Sequence, residues 1–271
     1  MSAREFHITI DGTAVTVVDA LAAHTDLSKG RIKDALNKGA VWLRDRSGEH
    51  RLRRATRTLT HGERISLYYD EDILQRESPV PALIADENYF SIWNKPAQML
   101  AQGTRYGDHC ALLRWCEKYF QPPRKCFLVH RLDREAEGLM LIAHTQKAAA
   151  TLSTLWQQRA IEKKYSVIVE GIAGEMGSTH RIDSELDGKP SSTEFIVSAC
   201  DDTNRRSILL VTLITGRKHQ IRRHLAGIGL PVVGDYRYGR GGEELKLRAL
   251  SLRFDCPFDQ QPKHYAIAPY A

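Results

Sequence analysis

Apolar and polar positions alternate at Phe6, Ile8 and Ile10 and stop at an Asp11-Gly12 turn signal, which predicts an opening strand. A helical stretch follows near 18–23. A second helix is expected from Ser28, a suitable N-cap, with Ile32, Ala35 and Leu36 forming an apolar stripe at spacings of three and four. A short strand at 41–43, a turn at Ser47-Gly48 and a strand at 63–67 complete a small α+β unit. Residues 70–82 are acidic and then spaced by Pro79 and Pro81, the pattern of a semi-extended linker. The expected division is a basic module over 1–75, a linker over 76–85 and a larger domain over 86–271.

In the larger domain strand patterns fall at 89–93, 139–143, 164–170, 195–200 and 207–215, and helical patterns at 111–119, 146–159 and 218–226. They show no repeated βαβ rhythm. The expected class is therefore α+β, with a mixed, largely antiparallel sheet and flanking helices.

Composition narrows the picture. No apolar run approaches the roughly 20 residues of a membrane-spanning helix, and the start of the chain lacks a basic stretch followed by a long apolar run. The five cysteines form an odd set without C-x-x-C spacing, which argues against a disulfide framework and fits a cytoplasmic setting. The net charge of +6 is unevenly spread: residues 26–67 hold eleven Lys/Arg against five Asp/Glu, so the remainder sums to about zero. Lys29, Arg31 and Lys33 lie beside the apolar stripe of the second helix. Charge so concentrated suits phosphate contacts of RNA, although a solvated charged face has the same composition.

Three segments carry candidate chemistry. In the first, His130-Arg131-Leu132-Asp133-Arg134-Glu135 forms a dense polar loop between two apolar runs. Such a loop is either solvated or mounted on the core with its aspartate partnered. In the second, Tyr165, Val167 and Val169 share one face of an alternating strand that opens with Lys163. The third, Gly216-Arg217-Lys218-His219-Gln220-Ile221-Arg222-Arg223-His224, crowds cations into the start of a helix. Cations there weaken a helix, so a neighbouring phosphate or carboxylate is expected. Ile221, Leu225 and Ile228 would form its apolar face. No H-E-x-x-H, Cys/His cluster, P-loop or G-x-G-x-x-G pattern is present, so neither a metal nor a nucleotide cofactor is expected.

Together these segments resemble the RluA family of pseudouridine synthases, whose H-R-L-D, K-x-Y and G-R-x-H-Q-I-R-x-H motifs occur here in the same order. Asn94-Lys95-Pro96 resembles the family's entry to its catalytic domain, and the run from Pro231 through Gly239 its closing motif. Residues 15–67 separately resemble a small RNA-binding module of the ribosomal small-subunit protein type. One departure is the Ala136-Glu137-Gly138 run, where family members commonly have Thr-Ser-Gly.

The resemblance implies isomerisation of uridine to pseudouridine in RNA, without a cofactor. Asp133 would be the essential carboxylate and Arg222 its compensating partner. Tyr165 would stack on the uracil and receive the proton from carbon 5. Arg131 would help flip the base, and His130 would brace the loop; Lys163, Arg217 and His219 would contact RNA. Ribosomal RNA is favoured over tRNA as target, with a monomer expected and no DNA or membrane partner. A non-catalytic RNA-binding or assembly protein on the same scaffold is the competing reading, with an RNA hydrolase a weaker third.

Overall fold

The computed structural model describes residues 3–271, which divide into two compact units. The first comprises the chain up to Ser78 together with Gln102–Phe120. Its elements are β1 (Arg4–Thr9), β2 (Val15–Thr16), α1 (Val17–His24), α2 (Lys29–Lys38), β3 (Val41–Asp45), β4 (Gly48–Arg51), β5 (Thr58–Leu59), β6 (Arg64–Tyr69), α3 (Glu71–Leu74) and α4 (Leu112–Tyr119). A four-stranded sheet runs β1-β6-β3-β4, all antiparallel, and β2 pairs with β5. Ser28 caps α2 by accepting from the Arg31 amide at 3.3 Å, and Gly39 ends it in the left-handed region at φ 80°. Ile32, Ala35 and Leu36 then bury fully against Val17, Leu21 and the inner face of the sheet.

The second unit, Pro79–Ala101 and Gln121–Ala271, contains β7 (Ala82–Asp86), β8 (Phe90–Lys95), β9 (Phe127–Leu128), β10 (Glu137–Ala143), α5 (Gln146–Gln157), β11 (Glu162–Glu170), β12 (Thr179–Leu186), β13 (Lys189–Asp201), β14 (Arg206–Leu213), α6 (Gln220–Gly227), β15 (Leu247–Asp255) and β16 (Pro262–Ala266). Its sheet is ordered β12-β13-β14-β11-β15-β10-β8-β7, with β16 added on β15 and β9 on β10. Only β10 and β15 run parallel, so the mixed, largely antiparallel α+β architecture matches the expected class.

Several expectations need correction. Residues 82–85, read as the end of a linker, belong to β7, which pairs with β8. Gln102–Phe120, with the helix expected at 111–119, groups with the first unit and not the larger domain. The helix expected over 218–226 starts only at Gln220, and Ile228 lies past its end, 46% exposed, outside the apolar face. β12, β15 and β16 escaped the hydrophobic pattern. β12 and β16 are largely polar or half-exposed, and β15 carries Arg248 and Arg253 among its apolar positions.

Candidate active site

The chemistry gathers in the second unit where the loop between β9 and β10 meets the start of α6. Gly138 makes this meeting possible. It takes φ 111° and pairs in parallel register with Ala249, whose backbone a Cβ there would strike. β10 can therefore run close along β15, and the loop preceding it is held above β11.

Asp133, Leu132, Arg131, Ala136, Tyr165, Leu247, Leu213, Arg217, His219, Gln220, Ile221 and Arg222 line one small, open pocket of about 90 Å³. The structure thus brings Asp133, Tyr165 and Arg222 together, with Arg131, Arg217 and His219 at the rim. Arg222 Nη1 donates to Asp133 Oδ2 at 3.1 Å, and His219 Nε2 approaches Oδ1 at 3.5 Å. The Asp133 side chain keeps 22% of its exposure, so it faces the pocket while paired.

Arg222 is itself held by a residue that sequence reasoning had not singled out. Its Nε and Nη2 donate to the two oxygens of Asp235, at 2.7 and 2.8 Å, in a fully buried bidentate pair. Asp235 Oδ1 also accepts from the backbone amides of Arg237 and Tyr238, at 2.8 and 3.0 Å. Asp133 therefore receives a single bond from its compensating partner Arg222. Burial alone would raise the Asp235 carboxyl; the Arg222 guanidinium and the two amides hold it below the usual range. Burial likewise opposes the charge on Arg222, and the bonds to Asp235 and Asp133 more than restore it. The neighbouring carboxylate expected beside this cationic helix start is thus Asp235, joined by Asp133.

The approach to α6 is fixed by one amide. Gln220 Oε1 accepts from Thr215 Oγ1 at 2.8 Å and from the Arg217 amide at 2.9 Å. Its Nε2 donates to Ser192 O and Thr193 Oγ1, both at 2.9 Å. His219 precedes it in the left-handed region at φ 53°, which turns its ring toward Asp133 while Nδ1 pairs with the Tyr238 hydroxyl at 3.0 Å. Burial lowers the His219 pKa although Asp133 pulls the other way.

Tyr165 is 9% exposed at the pocket floor; burial first, and then the Asp133 charge, push its hydroxyl above the ordinary phenol range. A phenol so shifted is ionised even more rarely at neutral pH, so almost no phenolate is available there to act as a base. Lys95, fully buried, donates to the carbonyls of Pro96, Met99, Arg134 and Ala136 at 3.0, 2.9, 3.3 and 2.6 Å. It ties the segment after Asp133 to the turn that follows β8, and burial brings its pKa down to about 8.

His130 stacks on Trp156 at 3.8 Å and accepts from the Leu141 amide at 3.0 Å, outside the pocket lining. Burial, with Lys163 nearby, lowers its pKa to about 3. An unfolded histidine binds a proton below about pH 6.5, and the folded one does not until about pH 3. The unfolded state therefore holds more protons in this window, and stability falls as pH drops through it. Urea titrations of His130→Gln should show a flatter dependence between these limits; an unchanged slope would assign the acid sensitivity to other groups.

Lys163 lies under Trp156, its Nζ 5.0 Å from the ring centre, and lines a different cavity from Asp133. Lys29, Arg31 and Lys33 belong to α2 of the first unit. There Lys29 pairs with Asp19 at 2.7 Å and Arg31 with Glu71 at 3.3 Å. The Ala136-Glu137 departure leaves the Asp133 contacts intact. Ala136 packs into the core beside Tyr165. Glu137 accepts from Tyr270 Oη at 2.6 Å and Arg248 Nε at 3.0 Å, fastening β10 to residues 268–270.

A carboxylate with one oxygen bonded and the other only loosely approached, over a buried aromatic ring, suits attack on a flat electron-poor base or its sugar. The family model described as RNA pseudouridylate synthase matches residues 89–227, which include Asp133, Tyr165 and Arg222. An uncharacterized RNA pseudouridine synthase of Aquifex aeolicus is 30% identical over 86% of this chain and 79% of its own length. The ribosomal large subunit pseudouridine synthase C of Buchnera aphidicola is 30% identical over 58% of this chain and 53% of its own. Among solved structures, human RNA pseudouridylate synthase domain containing 1 superposes with TM-score 0.59 at 22% identity, over 71% of this chain and 86% of that one.

Proposed function

The chain belongs to the RNA pseudouridylate synthase family, in its RluA-type branch, and we propose that it isomerises uridine in ribosomal RNA with Asp133 as the reacting carboxylate. The observation that carries this reading is the relay from Asp235 through Arg222 to Asp133. A fully buried carboxylate fixes the guanidinium, and the guanidinium turns Nη1 to the pocket carboxylate. Asp133 stays oriented without being enclosed by two strong bonds.

In this reading a uridine leaves its stack and enters the pocket, with Arg131 at the rim filling the gap left in the RNA. The uracil lies on Tyr165. Asp133 acts on the nucleoside as the glycosidic bond breaks, the base turns, and the bond re-forms through carbon 5, whose proton is then lost. Arg217 and His219 flank the entry and contact the RNA. The first unit serves as the RNA-binding module, and the protein works as a cytosolic monomer without a DNA partner. Ribosomal RNA is favoured by the charge concentrated in the first unit and by the large-subunit name of the Buchnera relative.

Tritium release from RNA labelled at carbon 5 of uridine tests both parts. Release from ribosomal RNA transcripts and not from tRNA is the expected result. Release from tRNA alone would move the target, and none from either would remove the activity.

A further inference from the structure

The outer face of the first unit's sheet contains an arrangement that folding alone disfavours. Arg44 of β3 and Arg64 of β6 are direct cross-strand partners. Like charges placed so repel and destabilise a sheet. Both are exposed, and neither forms an ion pair among the described residues. Thr9 on the far side of Arg64 carries no charge to compensate.

The carboxylates around them are committed elsewhere. Asp45 accepts from the Ser47 amide and hydroxyl at 2.8 and 2.6 Å. Glu63 accepts from Arg57 Nη2 at 2.6 Å and the Thr60 amide at 2.8 Å. Glu49, the cross-strand neighbour of Arg44, is engaged by Arg105 at 3.3 Å. Arg46 and His61, both exposed, line the same open depression, of about 870 Å³, as Arg44 and Arg64. Helix α2 presents the opposite situation. Lys29, Arg31 and Lys38 are ion-paired, which leaves Lys33 as its one lysine or arginine without an ion pair among the described residues.

We propose that the β3–β6 face, through Arg44, Arg64 and Arg46, is the principal phosphate-binding surface of the first unit, and that α2 is secondary to it. This rests on the reading that the first unit binds RNA, and it moves the contact from the helix to the sheet. Successive backbone phosphates of an RNA strand supply the anions that a facing arginine pair lacks. Arginine serves better than lysine here, because its planar fork holds a phosphate with two bonds. A peptide carboxylate could neutralise one arginine, but RNA presents phosphates in a row.

The test uses the whole chain and a fluorescein-labelled, uridine-containing stem-loop RNA, with affinity measured by anisotropy between about 50 and 200 mM salt. Arg44→Gln/Arg64→Gln should flatten the log–log salt slope by about 1.4 to 1.8, the value of two phosphate contacts. Its thermal midpoint should hold or rise, because a repulsion has been removed. Lys29→Gln/Arg31→Gln/Lys33→Gln should change the slope by less than half as much.

An unchanged slope in the arginine variant, with a flattened one in the helix variant, would overturn the proposed surface and leave the RNA-binding module standing. Unchanged slopes in both would overturn both. A fall in midpoint that accounts for the lost affinity would make the pair structural and overturn the proposal. Competition by poly-glutamate as effective as that by unlabelled RNA would overturn the choice of RNA as partner.

Discussion

Asp133→Asn should abolish pseudouridine formation, lowering kcat by about 10⁴-fold or more, the scale at which removal of a reacting group acts. RNA affinity should stay within a few-fold of wild type. The substitution is isosteric, and its amide oxygen can still accept from Arg222 Nη1, so the loop keeps its position. What disappears is the charge that attacks or deprotonates the nucleoside. A single-turnover tritium-release assay, paired with filter binding on the same RNA, separates the two effects. Substantial turnover by the folded variant would exclude Asp133 as the reacting carboxylate.

Asp235→Asn should be costly in a different way. The Asp235–Arg222 pair is buried, with side-chain exposures of 0% and 6%, and breaking such a pair from one side costs on the order of 3–5 kcal/mol. Urea unfolding should register that loss. Activity should fall as well, because a guanidinium released from Asp235 can turn both prongs onto Asp133 and occupy the oxygen the reaction needs. A double variant, Arg222→Met/Asp235→Asn, distinguishes stability from catalysis. It removes both charges of the buried pair while the asparagine oxygen can still accept from the Arg237 and Tyr238 amides, so this protein should fold yet remain inactive. Recovery of turnover in it would show that Asp133 needs no oriented cation.

Much of this site was legible in the chain itself. The apolar runs flanking the Asp133 loop marked it as a candidate for mounting on the core, and the alternation after Tyr165 placed that ring with Val167 and Val169 on a buried face. The cations ahead of Ile221 required a nearby anion. Asp235 was visible only as part of the closing motif and its pairing was not legible, although it lies only 13 positions beyond Arg222. It sits in a turn beyond α6, where no periodicity links a carboxylate to a helix face, and Asp235 reads as an ordinary turn residue. Lys95 was visible as part of a motif, but four carbonyl partners, two of them 39 and 41 residues beyond it, cannot be inferred from spacing.

The first unit makes the same contrast. Sequence located the charge correctly, in residues 26–67, and placed it on α2 because helical spacing makes neighbouring lysines and arginines conspicuous. The fold then paired Lys29 and Arg31 with Asp19 and Glu71, residues 10 and 40 positions away, and set Arg44 opposite Arg64 across a strand pair.

The sequence by itself determined the elements whose burial follows a short period, the class of the sheet, and the side chains able to do the chemistry. Those properties depend on neighbours a few residues apart, and local sterics and solvent exposure govern them. Only the tertiary structure decided which charges neutralise one another and which are left facing solvent. An ion pair is selected by distance and burial, and both are set by strands and turns that meet after folding.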